Sequence, residues 1–170
     1  MNYGYVKVAA AVPRVKVADC KFNASEIEKE IIIADGKGVQ IIAFPELCIT
    51  GYTCGDLFAQ QLLLEEAEMG LIQILNNTRQ MDIISILGMP VALNGVLLNA
   101  AGVIQKGRVL GVVPKTYLPN YKEFYEKRWF TSACDVAENS VRLCGQIIPM
   151  GRDLLFETAD TTFGVEICED

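Results

Sequence analysis

Two short apolar runs near the start of the chain, each ended by a proline, constrain its fold most strongly. Residues 5–12 and 39–44 are rich in valine, isoleucine and alanine, and Pro13 and Pro45 follow them. Continuous apolar runs of this length are typical of strands that are covered on both faces of a sheet. Apolar residues at helical spacing lie between the two runs, so we expect the chain to begin with a β-α-β unit.

The connecting helix is predicted to begin near Asn23 and to end at Gly36. Asn23 is a favourable N-cap residue, and Glu26 stands where a capping box needs its carboxylate. A second, longer helix is predicted over residues 57–79. Further strands are predicted over residues 82–93, 96–105, 109–113, 141–149, 153–157 and 161–167, with a hairpin turn at Asn94-Gly95. The pattern predicts an α/β protein with a mixed sheet, and no linker divides residues 1–170.

Composition narrows the chemistry and the partners. The chain contains no histidine, which excludes a Ser-His-Asp triad, a Cys-His pair and a histidine-ligated metal. Its 15 basic and 21 acidic residues give a net charge of −6, which argues against nucleic acid as a partner. No apolar window approaches the length of a membrane span, and residues 1–7 lack the pattern of a secretory signal. We therefore expect a cytoplasmic protein without a membrane partner.

Three reactive side chains stand where predicted strands end, namely those of Glu46, Lys115 and Cys168. The carboxyl ends of parallel strands meet at one edge of a sheet, so we expect these side chains to converge. A nearby ammonium favours the thiolate form of a cysteine, and a carboxylate can accept the thiol proton. The three residues therefore predict thiol chemistry that needs no histidine.

The segments around these residues resemble the three signature blocks of the nitrilase, or carbon–nitrogen hydrolase, superfamily. In chain order they are residues 44–52, which contain Phe44-Pro45-Glu46, residues 114–119, which begin with Pro114-Lys115, and residues 165–170, which end with Cys168-Glu169-Asp170. Within this superfamily, residues 50–58 and 117–130 and the Cys-Glu-Asp sequence are similar to the glutaminase domains of glutamine-dependent NAD+ synthetases. The resemblance implies an α-β-β-α sandwich with mixed sheets. It also implies that residues 1–170 are only the N-terminal part of one glutaminase domain, with the remainder and a synthetase domain downstream.

The resemblance also implies a role for individual residues. Glu46 is implied as the general base, Lys115 as the residue that stabilises the oxyanion, and Cys168 as the nucleophile. Four further residues are implied to bind or orient the substrate: Tyr52, Tyr121, Glu126 and Glu169. No metal site is expected.

The implied function is hydrolysis of the glutamine side-chain amide. The ammonia would serve the ATP-dependent amidation of deamido-NAD+ to NAD+ in the full-length protein. No cofactor is expected in this domain, since ATP, Mg2+ and deamido-NAD+ would bind to the synthetase domain. The implied partners are glutamine and the synthetase domain of the same chain, in a homo-oligomer. Residues 1–170 alone are expected to be inactive.

Two other functions stay open at this point. One is a stand-alone amidase or carbamoylase of the nitrilase superfamily, against which the extension at residues 54–58 argues. The other is a non-catalytic α/β interaction module, in which Glu46, Lys115 and Cys168 have no joint role. Failure of Cys168 to react with an electrophilic glutamine analogue would favour the interaction module.

Overall fold

The computed structural model describes residues 4–170, which form one five-stranded mixed sheet with two helices on one face. In spatial order its strands are β1 Val8–Ala10, β2 Ile41–Ala43, β3 Ile84–Leu93, β4 Val96–Gln105 and β5 Arg108–Pro114. β1, β2 and β3 are parallel, whereas β3, β4 and β5 are successively antiparallel. The expected α/β protein with a mixed sheet is confirmed. The expectation about a secretory signal rests partly on residues 1–3, which lie outside the described residues.

The main core lies between the sheet and its two helices, α1 Cys20–Gly36 and α2 Gln61–Asn77. Ile31 of α1 and Leu71 of α2 are fully buried and belong to the same apolar cluster as Leu87 of β3 and Leu98 of β4. Burial of each such side chain contributes roughly 1.5–3 kcal/mol. No helix within the described residues is long and apolar enough to cross a membrane.

The opposite face of the sheet is covered by the last part of the chain. This part contains the short hairpin of β8 Phe156–Glu157 and β9 Thr162–Phe163. Phe156 packs with Ile41, Ile84 and Val103 of the sheet in a second apolar cluster. The central strands are therefore buried on both faces, which explains why their sequences are apolar without alternation.

Another hairpin, formed by β6 Ser140–Leu143 and β7 Gln146–Pro149, corrects the prediction of one strand over residues 141–149. Cys144 and Gly145 between its strands have φ values of +49° and +70°, which turn the chain back on itself. After β7, Met150 forms a parallel bridge to Val112 of β5. The hairpin therefore lies beside the β5 edge of the sheet.

Both helices begin at positions that differ from the predicted ones. Asp19 caps α1, because its carboxylate accepts a hydrogen bond from the Phe22 N–H. Asn23 is instead buried within the helix, where its side-chain amide donates to the carbonyl oxygen of Ile49 and so ties α1 to the loop after β2. The predicted helix over residues 57–79 is divided, because Tyr52–Ala59 form a kinked 3-10 segment before α2 begins.

Candidate active site

Glu46 lies in a tight turn directly after β2. The Cys48 N–H donates to the Pro45 carbonyl oxygen at 3.2 Å, and the Gly51 N–H donates to that of Leu47 at 2.7 Å. Leu47 has a φ of +52°, which costs about 1–2 kcal/mol for a residue with a side chain. Full burial of Leu47 in the main core offsets that cost and holds the turn in place.

This turn packs directly against Gly88 of β3, and the contact leaves no room for a side chain at residue 88. A Cβ atom at Gly88 would lie 2.3 Å from the Leu47 nitrogen and 2.7 Å from the Pro45 oxygen. These are backbone atoms, so the turn itself would have to move. A glycine at residue 88 therefore allows the turn that carries Glu46 to lie directly against the sheet.

Gly88→Ala is expected to lower the free energy of unfolding by about 1–3 kcal/mol, the usual cost of overpacking. Any reaction that uses Glu46 should slow as well, because the displaced turn carries that carboxylate. Urea unfolding measures the first effect, and the rate of the reaction measures the second. Gly102→Ala on β4 is the matched control, since its Cβ would approach only the Leu87 oxygen, at 4.0 Å. Equal losses of stability and activity in Gly88→Ala and Gly102→Ala would contradict the prediction.

Lys115 directly follows β5, as predicted. Its N–H donates to the Asn99 carbonyl oxygen at 2.8 Å, and its own carbonyl oxygen accepts from the Ala133 N–H at 2.9 Å. β2 is parallel to β3. β5 is antiparallel to β4, which is antiparallel to β3, so β5 runs in the same direction as β2. Lys115 and Glu46 therefore emerge at the same edge of the sheet.

The Lys115 ammonium lies between two carboxylates. Its Nζ is 2.6 Å from Glu46 Oε1 and 2.8 Å from Glu126 Oε1. The side chains of Lys115 and Glu126 are 0% and 2% exposed, whereas that of Glu46 is 20% exposed. Burial opposes the charge of Lys115, but hydrogen bonds from Lys115 to both glutamates outweigh it and raise the lysine pKa. Lys115 is therefore a charged donor at neutral pH and not a base.

Glu126 is held by contacts from two directions. It begins the 3-10 helix Glu126–Arg128, and its N–H donates to the Pro119 carbonyl oxygen at 3.1 Å. The Tyr52 hydroxyl donates to Glu126 Oε1 at 2.8 Å. Burial, and then the hydrogen bond to Glu126, raise the pKa of Tyr52, so its hydroxyl keeps its proton. Both Tyr52 and Glu126 were identified from the sequence, and the structure brings them together with Lys115.

Cys168 is exposed and lies in a turn, not at the end of a strand. Strand β9 ends at Phe163, so the predicted strand over residues 161–167 is wrong in its second half. Cys168 has a φ of +57°, and the Asp170 N–H closes the turn by donating to the Ile167 carbonyl oxygen at 3.2 Å. A cavity of about 280 Å³ is lined by Cys168, Glu46 and Asn99, among other residues. The structure thus places the thiol and the Glu46 carboxylate on one cavity.

The two residues after Cys168 join its turn to the segment that follows Lys115. The Glu169 carboxylate accepts a hydrogen bond from the Tyr121 hydroxyl. Asp170 Oδ1 accepts from the N–H groups of Thr116 and Tyr117, at 2.9 and 2.8 Å. Asp170 was not singled out from the sequence, and its contacts link the turn of the thiol to the loop of the lysine.

Asn99 is a second residue that sequence analysis missed. It is 1% exposed, and its side-chain Nδ2 is 2.5 Å from Glu46 Oε1 and 3.5 Å from Glu126 Oε2. The available signal was a lone asparagine in the middle of the apolar strand β4, since buried polar side chains need a partner. Within residues 4–170, no group of three or more potential metal ligands comes together.

This fold and this set of side chains agree with a known class of proteins. The model of the carbon–nitrogen hydrolase family matches residues 7–170, and the chain belongs to that family.

The relatives of the chain are more specific. A glutamine-dependent NAD(+) synthetase from Mycobacterium leprae is 35% identical over 172 residues, which cover 99% of this chain and 25% of the relative. The crystal structure of a glutamine-dependent NAD(+) synthetase from Cytophaga hutchinsonii matches 97% of this chain and 28% of that one, at 32% identity and a TM-score of 0.86. The chain spans about a quarter of the length of the curated relatives it matches.

A more distant structure shows the fold alone. The NitN amidase from Neterenkonia sp. AN1 has a TM-score of 0.73 at 16% identity, and the match covers 97% of this chain and 58% of the amidase. The nitrilase-like fold implied by the sequence motifs is therefore confirmed, and the chain corresponds to part of that domain.

Proposed function

We propose that the chain hydrolyses the side-chain amide of glutamine, as the glutaminase part of a glutamine-dependent NAD+ synthetase. The observation that carries the proposal is the buried Lys115 ammonium between Glu46 and Glu126, beside the cavity that Cys168 lines. The names of the relatives support glutamine as the substrate. The ammonia would pass to a synthetase domain of the same protein, which would use ATP and Mg2+ to amidate deamido-NAD+.

In the first half of the reaction, the Cys168 sulfur attacks the carbonyl carbon of the glutamine amide as its proton moves to Glu46. Lys115 and Asn99 both donate to Oε1 of Glu46, so we assign the proton transfer to the other oxygen, Oε2. The Lys115 ammonium stabilises the negative oxygen that develops on the tetrahedral carbon. Glu46 then gives the proton to the leaving nitrogen, and ammonia departs from a γ-glutamyl thioester.

In the second half, water attacks the thioester carbon and Glu46 accepts a proton from that water. Collapse of the tetrahedral intermediate breaks the carbon–sulfur bond, and the sulfur takes the proton back. Glutamate is released and the Cys168 thiol is regenerated. Water supplies the only atoms that are added, so this half needs no further reactant.

Glu169 provides the means to select glutamine among amides. Its carboxylate is exposed one residue after Cys168 and is held by the Tyr121 hydroxyl. A carboxylate at this position is complementary to the α-ammonium group of an amino acid substrate. A simple amide has no such group, so Glu169 favours an amino acid amide such as glutamine over a simple amide.

Glu169→Gln is expected to raise the KM for glutamine about 10- to 100-fold with little change in kcat, because a ground-state contact with a charged group is lost. Hydrolysis of a simple amide such as acetamide should not change. Ammonia release with each substrate, measured on the full-length protein, checks both expectations.

Glu157→Gln on β8 makes the same charge change away from Cys168 and is the control. A stand-alone amidase would hydrolyse acetamide at least as well as glutamine, in the wild type and in Glu169→Gln alike. That result would overturn the proposed substrate.

A further inference from the structure

Asn99 is a polar side chain in a part of β4 that otherwise packs in the core. Its neighbours along the strand, Leu98 and Ala100, are fully buried in the main apolar cluster. In the sheet, Asn99 pairs with Pro90 of β3, and its carbonyl oxygen accepts a hydrogen bond from the Lys115 N–H. An amide at such a position destabilises the fold unless its hydrogen bonds are made.

Only one end of the Asn99 amide has partners. Nδ2 donates to Glu46 Oε1 and Glu126 Oε2, at 2.5 and 3.5 Å. Oδ1 is buried and has no hydrogen-bond partner among residues 4–170. Reversing the amide would point Oδ1 at both carboxylates, so the two glutamates dictate its orientation.

The unpaired Oδ1 indicates that Asn99 is not explained by packing. A buried acceptor without a partner destabilises a protein, whereas an apolar side chain of the same shape avoids that cost altogether. A leucine at residue 99 would therefore suit the core better. The asparagine is explained by its N–H donors and not by packing.

The charges at the site show why further donors are needed. Lys115 supplies one cationic group, whereas Glu46 and Glu126 supply two carboxylates. Two carboxylates that share one buried cation repel each other, and neutral donors reduce that repulsion. The Tyr52 hydroxyl serves Glu126 alone, whereas Asn99 reaches both carboxylates.

We propose that Asn99 is a positioning residue for Glu46. By donating to Glu46 Oε1, it keeps that carboxylate ionised and turned so that Oε2 is available to the Cys168 thiol across the shared cavity. This inference rests on the proposed function in so far as Glu46 is the base for Cys168. It does not depend on which amide is the substrate.

Asn99→Leu removes the donors and keeps the number and branching of the side-chain heavy atoms. The pH dependence of Cys168 alkylation by iodoacetamide is the primary measurement. Loss of a hydrogen-bond donor makes the Glu46 carboxylate harder to ionise. The acid limb of the profile, where the alkylation rate falls as the pH is lowered, should therefore move to higher pH by about one unit. For glutamine, kcat/KM should fall about 10- to 100-fold, with the same displacement of the acid limb. Stability against urea should change little, because the removal of the unpaired Oδ1 offsets the loss of the two donor contacts. Asn99→Ser, which restores one O–H donor, should recover part of the lost rate.

Asn94→Gly is the matched control. Asn94 also donates its Nδ2 to a glutamate, Glu138, at 2.5 Å, but it lies in the β3–β4 turn with a φ of +46°, a conformation that glycine adopts easily. An unmoved acid limb in Asn99→Leu, or a rate loss that only parallels a loss of stability, would overturn the inference. If Asn99→Leu does not fold, Asn99→Ser is judged by the same acid limb. Wild-type protein that is alkylated with the expected pH dependence but does not hydrolyse glutamine would contradict the proposed substrate and leave the role of Asn99 standing.

Discussion

Replacement of Cys168 by alanine is expected to abolish glutamine-dependent NAD+ formation in the full-length protein and to leave ammonia-dependent formation intact. The variant lacks the nucleophile, and loss of a nucleophile typically lowers kcat about 10⁶-fold. The buried thiols of Cys20 and Cys48 and the half-buried thiol of Cys144 cannot replace it, because burial raises the pKa of each to about 12. Burial also raises the pKa of the buried Cys54. Synthesis from added ammonia bypasses the amide hydrolysis. NAD+ formation with each nitrogen source measures the two activities separately.

Cys134→Ala is the control for that experiment. Cys134 is the other exposed thiol, but it accepts a hydrogen bond from Arg152 and lines a cavity that contains neither Glu46 nor Lys115. This variant should retain both activities. Survival of glutamine-dependent activity in Cys168→Ala would exclude Cys168 as the nucleophile. Loss of both activities in a folded Cys168→Ala protein would argue against separate sites.

The strands and helices that could be predicted from the sequence are those whose pattern of apolar residues follows from burial in the core. β3 and β4 follow from long apolar runs joined by Asn94-Gly95, because one face of each strand must contact the helices and the other the C-terminal segment. The start of α1 could not be predicted, because Asp19 and Asn23 are both good capping residues. The contact of Asn23 with the Ile49 carbonyl oxygen, which is distant in sequence, decides between them.

The site shows the same division. Glu46 and Lys115 could be predicted because each follows a strand, and their contact follows from the direction of β2 and β5. Asn99 and Asp170 could not, since their partners are brought close only by the tertiary fold. The prediction of Cys168 at a strand end was wrong about the backbone, although the residue lines the cavity that Glu46 also lines. An alternating segment such as Val165-Glu166-Ile167 does not reveal whether a neighbouring strand is present to pair with it.

Lys115→Met is expected to damage both the fold and the activity. The Lys115 side chain is fully buried, and its removal leaves the carboxylates of Glu46 and Glu126 without their cation. Breaking a buried ion pair in this way typically lowers the free energy of unfolding by about 3–5 kcal/mol. Glutamine hydrolysis should fall by a further factor of about 10²–10³ in the protein that remains folded, because an oxyanion donor is lost. Urea unfolding and single-turnover ammonia release separate the two effects.

Two further variants identify the cause of these losses. Lys106→Met removes a lysine that pairs with Asp82 on the surface, where the two side chains are 59% and 86% exposed, and it should cost less than about 1 kcal/mol. The double variant Lys115→Met/Glu126→Gln removes one of the two carboxylates that Lys115→Met leaves without a cation, so it should regain part of the lost stability. It should not regain the rate, because the oxyanion donor is still missing. A Lys115→Met protein as stable as Lys106→Met would show that Lys115 does not neutralise the glutamates. A double variant with restored hydrolysis would show that Lys115 does not stabilise the oxyanion.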